Sequence, residues 1–352
     1  MNFEQTDDRR MLSDSLSRLL ADACDPKTRA AAAYTAPFHS PALWTKLVEL
    51  GALYALAGPA QGGFGGGGFD IATVFEALGA ALCPEPVLPA LMAARLLTHA
   101  GADLEPLLSG AVTYAFAICE LVSWDLAEIE TTARNGTLTG HKSVVYGGQV
   151  AAAILVVARD GDRLSLYEVA ATEAQIIPYA MIDGGGAAEV VLDATPARLL
   201  IADAAAAVQD ALDAGALALS AEALGAMEAT LAMLVDYLKQ RRQFGRPIGS
   251  NQALQHRTVE LVTEIAQARS IVILAASRMG TDQQSRTVSM CKHLCGRVAQ
   301  HVAEEAIQMH GGIAMTWEAP VSHYAKRLVM IDAQLGDTDH HLKRVMADLQ
   351  AV

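Results

Sequence analysis

The stretch YLKQRRQFGRPIGSNQ, residues 237–252, separates two long helical patterns. Upstream, the Ala-rich run 204–241 repeats apolar residues at helical spacing through Met227, Leu231 and Leu234, which the period assigns to a core. Its basic end, with Lys239, Arg241 and Arg242, suits the negative pole of a helix, and Gly245 followed by Pro247 is ordinary helix termination. Downstream the helical period resumes over 251–279 and over 285–309, where Met290, Leu294, Val298 and Val302 mark a stripe. Shorter helical runs follow at 323–333 and 339–349, so residues 203–352 read as a C-terminal helical domain.

Ahead of it, over 111–202, the period shortens towards two. VTYAFAI, TLTGHKSVVY, AAAILVVAR, RLSLYEVA and AEVVLDA read as strands. Asn135-Gly136 and Asp160-Gly161 lie between apolar runs and supply the positive φ of tight hairpins. This predicts a small antiparallel β domain. Residues 1–110 return to a helical period, at Met11, Leu12, Leu16, Leu19 and Leu20 and over 41–50, 71–82 and 87–100. GPAQGGFGGGGF, residues 58–69, is a flexible connection among them. The fold class is α+β, mostly α, in the order α–β–α.

Composition narrows the function. Of 352 residues 52% are hydrophobic and 18% charged, which excludes disordered and fibrous classes. Lys and Arg total 26 against 39 Asp and Glu, a net charge of −13 that argues against a nucleic-acid-coating protein. The N-terminal residues are acidic and lack an apolar run, so no signal peptide is expected. The most apolar stretch, 204–235, is interrupted by Asp210, Asp213, Glu222 and Glu228 and reads as a buried helix, with no membrane partner. Five cysteines, at 24, 83, 119, 291 and 295, form no disulfide framework and point to the cytoplasm; Cys291 and Cys295 read as core thiols.

The glycine run at 62–68 continues into Phe69-Asp70, not Gly-Lys-Ser/Thr, and no strand precedes it, so it reads as an inter-helix loop and not a phosphate cradle. QMHGGIAMTWE, residues 308–318, carries more chemistry. Twin glycines after a helix let a ligand approach the backbone closely, and Gln308 offers a donor and an acceptor. His301 with Glu304 and Glu305 lacks the H-E-x-x-H or paired E-x-x-H arrangement, so no metal is expected. His340-His341 reads as surface or dipole-stabilising at a helix end, and Trp317-Glu318 as a packing and hydrogen-bonding pair.

RRQFGRPIGSNQ and QMHGGIAMTWE, in that order and separation, resemble the two C-terminal motifs of the acyl-CoA dehydrogenase family. The likeness extends to GPAQGGFGGGGFDIATVFEALG (58–79) and to CELVSWDLAEIETTARNGTLTGHKSV (119–144), and so covers almost the whole chain. It implies an N-terminal α domain (1–110), a middle β domain (111–202) and a C-terminal four-helix bundle (203–352). It also implies an acyl-CoA thioester substrate, an electron-transfer acceptor protein, and FAD held between domains and a neighbouring subunit of a tetramer. Arg241 and Gln243 would then face the FAD pyrophosphate, with Phe244 packing nearby and Gln252 lining the site. Gln308, Gly311 and Gly312 would hold the adenosine-diphosphate part. An arginine suits that role through its planar fork.

The chain departs from the family where the chemistry is. The family's late glutamate, the base for the α-proton, falls on Leu335 within AQLGDTDHH (333–341). Its alternative position on the long helix falls on Gly215 or Ala216, and Asp213 lies roughly 200° around the axis from there. The family's Thr-Glu-Pro-x-x-Gly-Ser-Asp segment reads Ile118-Cys119-Glu120-Leu-Val-Ser123-Trp124-Asp125, and its Trp-Ile-Thr reads Val144-Val145-Tyr146. No catalytic residue is therefore assigned. These departures resemble the short, base-lacking subunits of bacterial steroid-degradation heterotetramers, in which an unlike subunit supplies the glutamate. The alternatives are a self-sufficient homotetramer using Asp337 or Asp339 as base, or an assembly subunit without flavin.

Overall fold

In the computed structural model, which describes residues 6–121 and 123–350, the helices are α1 (Asp7–Ala23), α2 (Pro26–Ala33), α3 (Pro41–Glu49), α4 (Gly68–Ala80), α5 (Val87–His99), α6 (Glu105–Leu108), α7 (Ala205–Gln240), α8 (Gln252–Arg278), α9 (Gln284–His310), α10 (Pro320–Ala333) and α11 (Thr338–Gln350). The strands are β1 (Tyr114–Ala117), β2 (Thr132–Arg134), β3 (Thr137–Tyr146), β4 (Ala153–Asp160), β5 (Arg163–Ala170), β6 (Gln175–Ala180), β7 (Gly186–Pro196) and β8 (Arg198–Ile201), with a short pair β9 (Arg242–Gln243) and β10 (Arg246–Pro247). Contacts group residues 1–26, 71–83 and 216–352 into one unit and 27–70 with 84–215 into another. The mostly helical α+β class expected of the sequence holds.

The second unit is built on a sheet ordered β6-β7-β3-β2-β4-β5-β8, with β1 added on β4. It is antiparallel except that β1 and β2 run parallel to β4, a direction that side-chain alternation does not encode. Central β4 is buried from Ala153 to Ala158, so it reads as an unbroken apolar run and not an alternating one. The β2–β3 turn has Asn135 at φ 51° and Gly136 at φ 78°, the pair of positive angles a type I′ hairpin needs. In the β4–β5 hairpin the turn residues are Gly161-Asp162, with Gly161 at φ 62°. Leu138, Val145, Ile154, Val156, Val169 and Val190 form the heart of this core.

In the first unit α9 packs against α8, α10 and α11. Its buried stripe includes Val288, Cys291, Cys295, Val298 and Val302. The part of α7 in this unit is tied to α10 by the fork of Arg327 on Glu222 (2.6 and 2.7 Å), and to α8 by Arg269, which pairs with both Glu228 and Glu76 of α4. The α4–α7 crossing is made by two glycines. A Cβ at Gly79 would overlap the Glu222 carbonyl oxygen, and one at Gly225 would overlap that of Glu76. By length and composition α7 could cross a membrane, yet 67% of its most apolar window is buried within the protein. Met227 and Leu234 lie in the core and Leu231 at its edge.

Candidate functional site

The arginine-rich stretch folds back on the end of α7. Arg241 N donates to Tyr237 O and Ile248 N to Arg241 O, each at 2.8 Å, and β9 pairs with β10. Phe244 (φ 51°) and Gly245 (φ 80°) make the two-residue turn between them. Phe244 is 101% exposed at its tip, an expensive place for an aromatic ring unless something covers it. Arg241, Arg242, Gln243 and Arg246 are exposed, as is Gln252 at the first position of α8. Arg246 donates to Asn251 Oδ1 (3.1 Å), whereas Arg241 and Arg242 meet no carboxylate among the described residues.

The second motif lies at the end of α9. Gly311 caps that helix at φ 72°, ψ −156°, a conformation open essentially to glycine alone. A Cβ on Gly311 or Gly312 would meet nothing within 4 Å, so the backbone there is open to a ligand. Gln308 is exposed beside it. Tyr237 brings the two motifs together: its hydroxyl donates to His310 O (3.0 Å) and its ring stacks on His310 at 4.4 Å and 25°. His310 Nδ1 lies 2.8 Å from Ala306 O, and burial lowers the pKa of the ring although that bond pulls the other way. The sequence placed both residues inside the quoted motifs but gave no sign that they touch. Unpaired guanidinium groups, amides and open glycine backbone form a donor set that fits a pyrophosphate.

The turn from α10 to α11 holds Leu335 at φ 56° with its side chain buried. Fully buried Lys292 donates to Asp332 O and Gly336 O, both at 2.9 Å, and burial lowers its pKa to about 8. Asp332 accepts from Thr338 N and Oγ1 and from Gln300 Nε2. His341 Nε2 donates to Leu335 O (3.1 Å), while its buried Nδ1 has no hydrogen-bond partner among the described residues. The turn is thus built to high order and carries an aliphatic tip. Asp337 is exposed and accepts from His340 N (2.8 Å), capping α11, and Asp339 is exposed on the same helix. Gly215 and Ala216 are buried, and Asp213 accepts from Gln209 (2.8 Å).

In the sheet unit, Glu120 is a hub. It accepts from Glu130 N (2.6 Å), Thr131 N (3.1 Å), Thr131 Oγ1 (2.6 Å) and buried Lys142 Nζ (2.5 Å). Burial alone would raise the Glu120 pKa, but Lys142 and these bonds bring it below its ordinary value. Burial lowers Lys142 to about 8 and raises the Cys119 thiol to about 12. Arg159 fastens the segment after Glu120 from the other side, donating to Ile129 O (2.7 Å), Ala127 O (2.9 Å) and Leu126 O (3.3 Å). That segment presents Leu121, 82% exposed, and Trp124, whose ring lies parallel to Tyr146 at 6.0 Å.

Among the described residues no group of three His, Cys, Asp or Glu side chains could hold a metal ion. Cys291 and Cys295 are buried with sulfurs 3.9 Å apart, and their mutual hydrogen bond and burial push Cys295 well up. Trp317 packs under Lys326 (4.4 Å) and against the edge of His323.

Sequence and structure comparisons agree on one family. The model for the acyl-CoA dehydrogenase C-terminal domain matches residues 203–349, and that for the N-terminal domain matches 6–103. Acyl-CoA dehydrogenase IpdE2 of Mycolicibacterium smegmatis is 30% identical over 98% of this chain and 99% of its own length. The IpdE2 of Mycobacterium tuberculosis is 32% identical over 91% of each chain. A variant of the Tcur3481–Tcur3483 steroid ACAD superposes with a TM-score of 0.90 at 26% identity, covering 98% of this chain and 99% of that one. The ChsE4–ChsE5 complex of Mycobacterium tuberculosis shares the fold throughout both chains, with a TM-score of 0.91 at 24% identity.

Proposed function

Because this chain belongs to the acyl-CoA dehydrogenase family of FAD-binding oxidoreductases, we propose that it is a base-lacking subunit of a two-component acyl-CoA dehydrogenase. The assembly would desaturate the α,β bond of a CoA thioester, with a second acyl-CoA dehydrogenase subunit contributing the carboxylate. One observation carries the reading: an ordered, buried turn ends in Leu335, a side chain that cannot accept a proton. Removing an α-proton requires a positioned base, and neither Gly215 nor Ala216 offers one. Asp337 is already engaged as a helix cap.

In this reading Arg241 and Gln243 hold the FAD pyrophosphate, Phe244 covers it, and Gln252 lines the same groove. Gln308, Gly311 and Gly312 hold the adenosine-diphosphate portion. When bound, the flavin supplies the hydride acceptor, and an electron-transfer protein reoxidises it. The fully exposed Phe244 and the unpaired arginines support a site completed by a neighbouring subunit. The two-component name of the Tcur3481–Tcur3483 steroid ACAD supports an unlike partner and a steroid-derived acyl group. Five free cysteines suit a reducing cytoplasm.

The test is anaerobic titration with an acyl-CoA, followed by the visible flavin spectrum. The chain alone is expected to leave the flavin oxidised, and adding a glutamate-bearing homologue to bleach it. Bleaching at full rate by the chain alone refutes the partner requirement; a colourless protein in both settings, despite added FAD, refutes the flavin assignment.

A further inference from the structure

We infer that Tyr237 is a positioning residue that locks the arginine hairpin to the twin-glycine turn, so that both motifs meet one bound dianion as a single rigid jaw. The inference rests on the flavin reading above and adds the part that holds its two halves in register. Tyr237 is bonded to both motifs at once. Its backbone oxygen receives Arg241 N (2.8 Å), and its hydroxyl donates to the carbonyl of His310, the residue preceding Gly311 (3.0 Å).

Each bond answers a local weakness. A hairpin of two-residue strands cannot fix its own angle in water, and this one leaves the end of α7 with Arg242, Gln243 and Arg246 exposed and Pro247 half-buried. The His310 carbonyl is one of the acceptors that a helix end leaves unsatisfied. Pinning it fixes the 310–311 peptide plane and hence the direction in which the unusual backbone of Gly311 faces. The Tyr237 ring also stacks on the His310 ring, a second contact beside the hydroxyl bond. Donors held ready in this way lose less freedom when a ligand arrives.

The test is a double-mutant cycle on FAD affinity, read by flavin fluorescence on the full chain alone and with a glutamate-bearing homologue. Tyr237→Phe keeps the ring and deletes the hydroxyl. It should weaken FAD about 5-fold, the scale of one lost hydrogen bond, and lower the Tm of the FAD-free chain by no more than about 4 °C. In an Arg241→Gln background the same change should cost under about 2-fold, because holding the two motifs in register gains nothing once one of them no longer grips the ligand. Equal losses in both backgrounds, or no loss in the first, overturn the inference while leaving the flavin assignment standing. A parent chain that takes up no FAD in either setting overturns both.

Discussion

Leu335 and His341 share a hydrogen bond, and each makes its own prediction. Leu335 occupies a left-handed backbone position that Glu would enter at the same steric cost. Leu335→Glu should therefore keep the backbone of the turn, at a stability cost of about 1–3 kcal/mol for a carboxyl in a buried site, and give the chain, with FAD, an acyl-CoA-dependent flavin bleaching at least about 10-fold above the parent. No gain from a folded variant removes residue 335 from the base position. His341 is buried, and burial lowers its pKa to about 2. The unfolded chain takes up a proton below about pH 6.5 and the folded chain does not, so stability is full above that pH and falls as pH drops below it. The loss approaches about 1.4 kcal/mol per pH unit. His341→Gln keeps a donor and does not titrate, so its Tm should fall less than the parent's between pH 7 and 5.5. The aliphatic residue at 335 is plain in the sequence, and the structure buries it in an ordered turn. The burial of Lys142 and Lys292 is not legible in the sequence: each is held by groups more than twenty positions away, and no local pattern reports such acceptors.

At the level of elements, helices and most strands follow from the spacing of apolar residues, since burial of one face is what that spacing records. The period gave a helix over 87–100, and α5 is Val87–His99; TLTGHKSVVY is β3 residue for residue. The strands β2, β6 and β8 went unread: β2 and β8 are too brief for alternation to register, and β6 and β8 lie at the sheet edges. Pro178 within β6 further masks that strand, and a proline is tolerated there because an edge leaves its missing donor unneeded. The α4–α7 crossing yields a prediction of its own. Gly79→Ala and Gly225→Ala each place a methyl on the opposing backbone, where no side chain can rotate away. Each should destabilise the protein by about 1–3 kcal/mol in denaturant unfolding, despite the better helix propensity of Ala. A neutral or stabilising result at both sites would mean that the two helices are not in backbone contact.

For the whole molecule, reading the period along the chain gives three consecutive segments, while contacts join α1 and most of α4 to the C-terminal helices. That grouping depends on packing between distant residues such as Gly79 and Glu222, which no local window contains. Residues 241–252 and 308–312 stand out as motifs in the sequence, but their joining through Tyr237 and His310 does not. Phe244 tests assembly at this scale. It touches so little of its own chain that Phe244→Ser should leave Tm within about 1 °C of the parent, as surface changes usually do. Native mass should nevertheless shift towards smaller species when the variant is mixed with a glutamate-bearing homologue. Unchanged assembly and unchanged FAD retention together would remove Phe244 from the subunit contact. The segment after Glu120 has a different consequence. Its far border, residues 126–131, is clasped by Glu120 and Arg159 together, through bonds that involve neither Leu121 nor Trp124 at its crest. Such an arrangement behaves as an interchangeable cassette: the crest can be rewritten for a new neighbour while the frame beneath goes on folding as before.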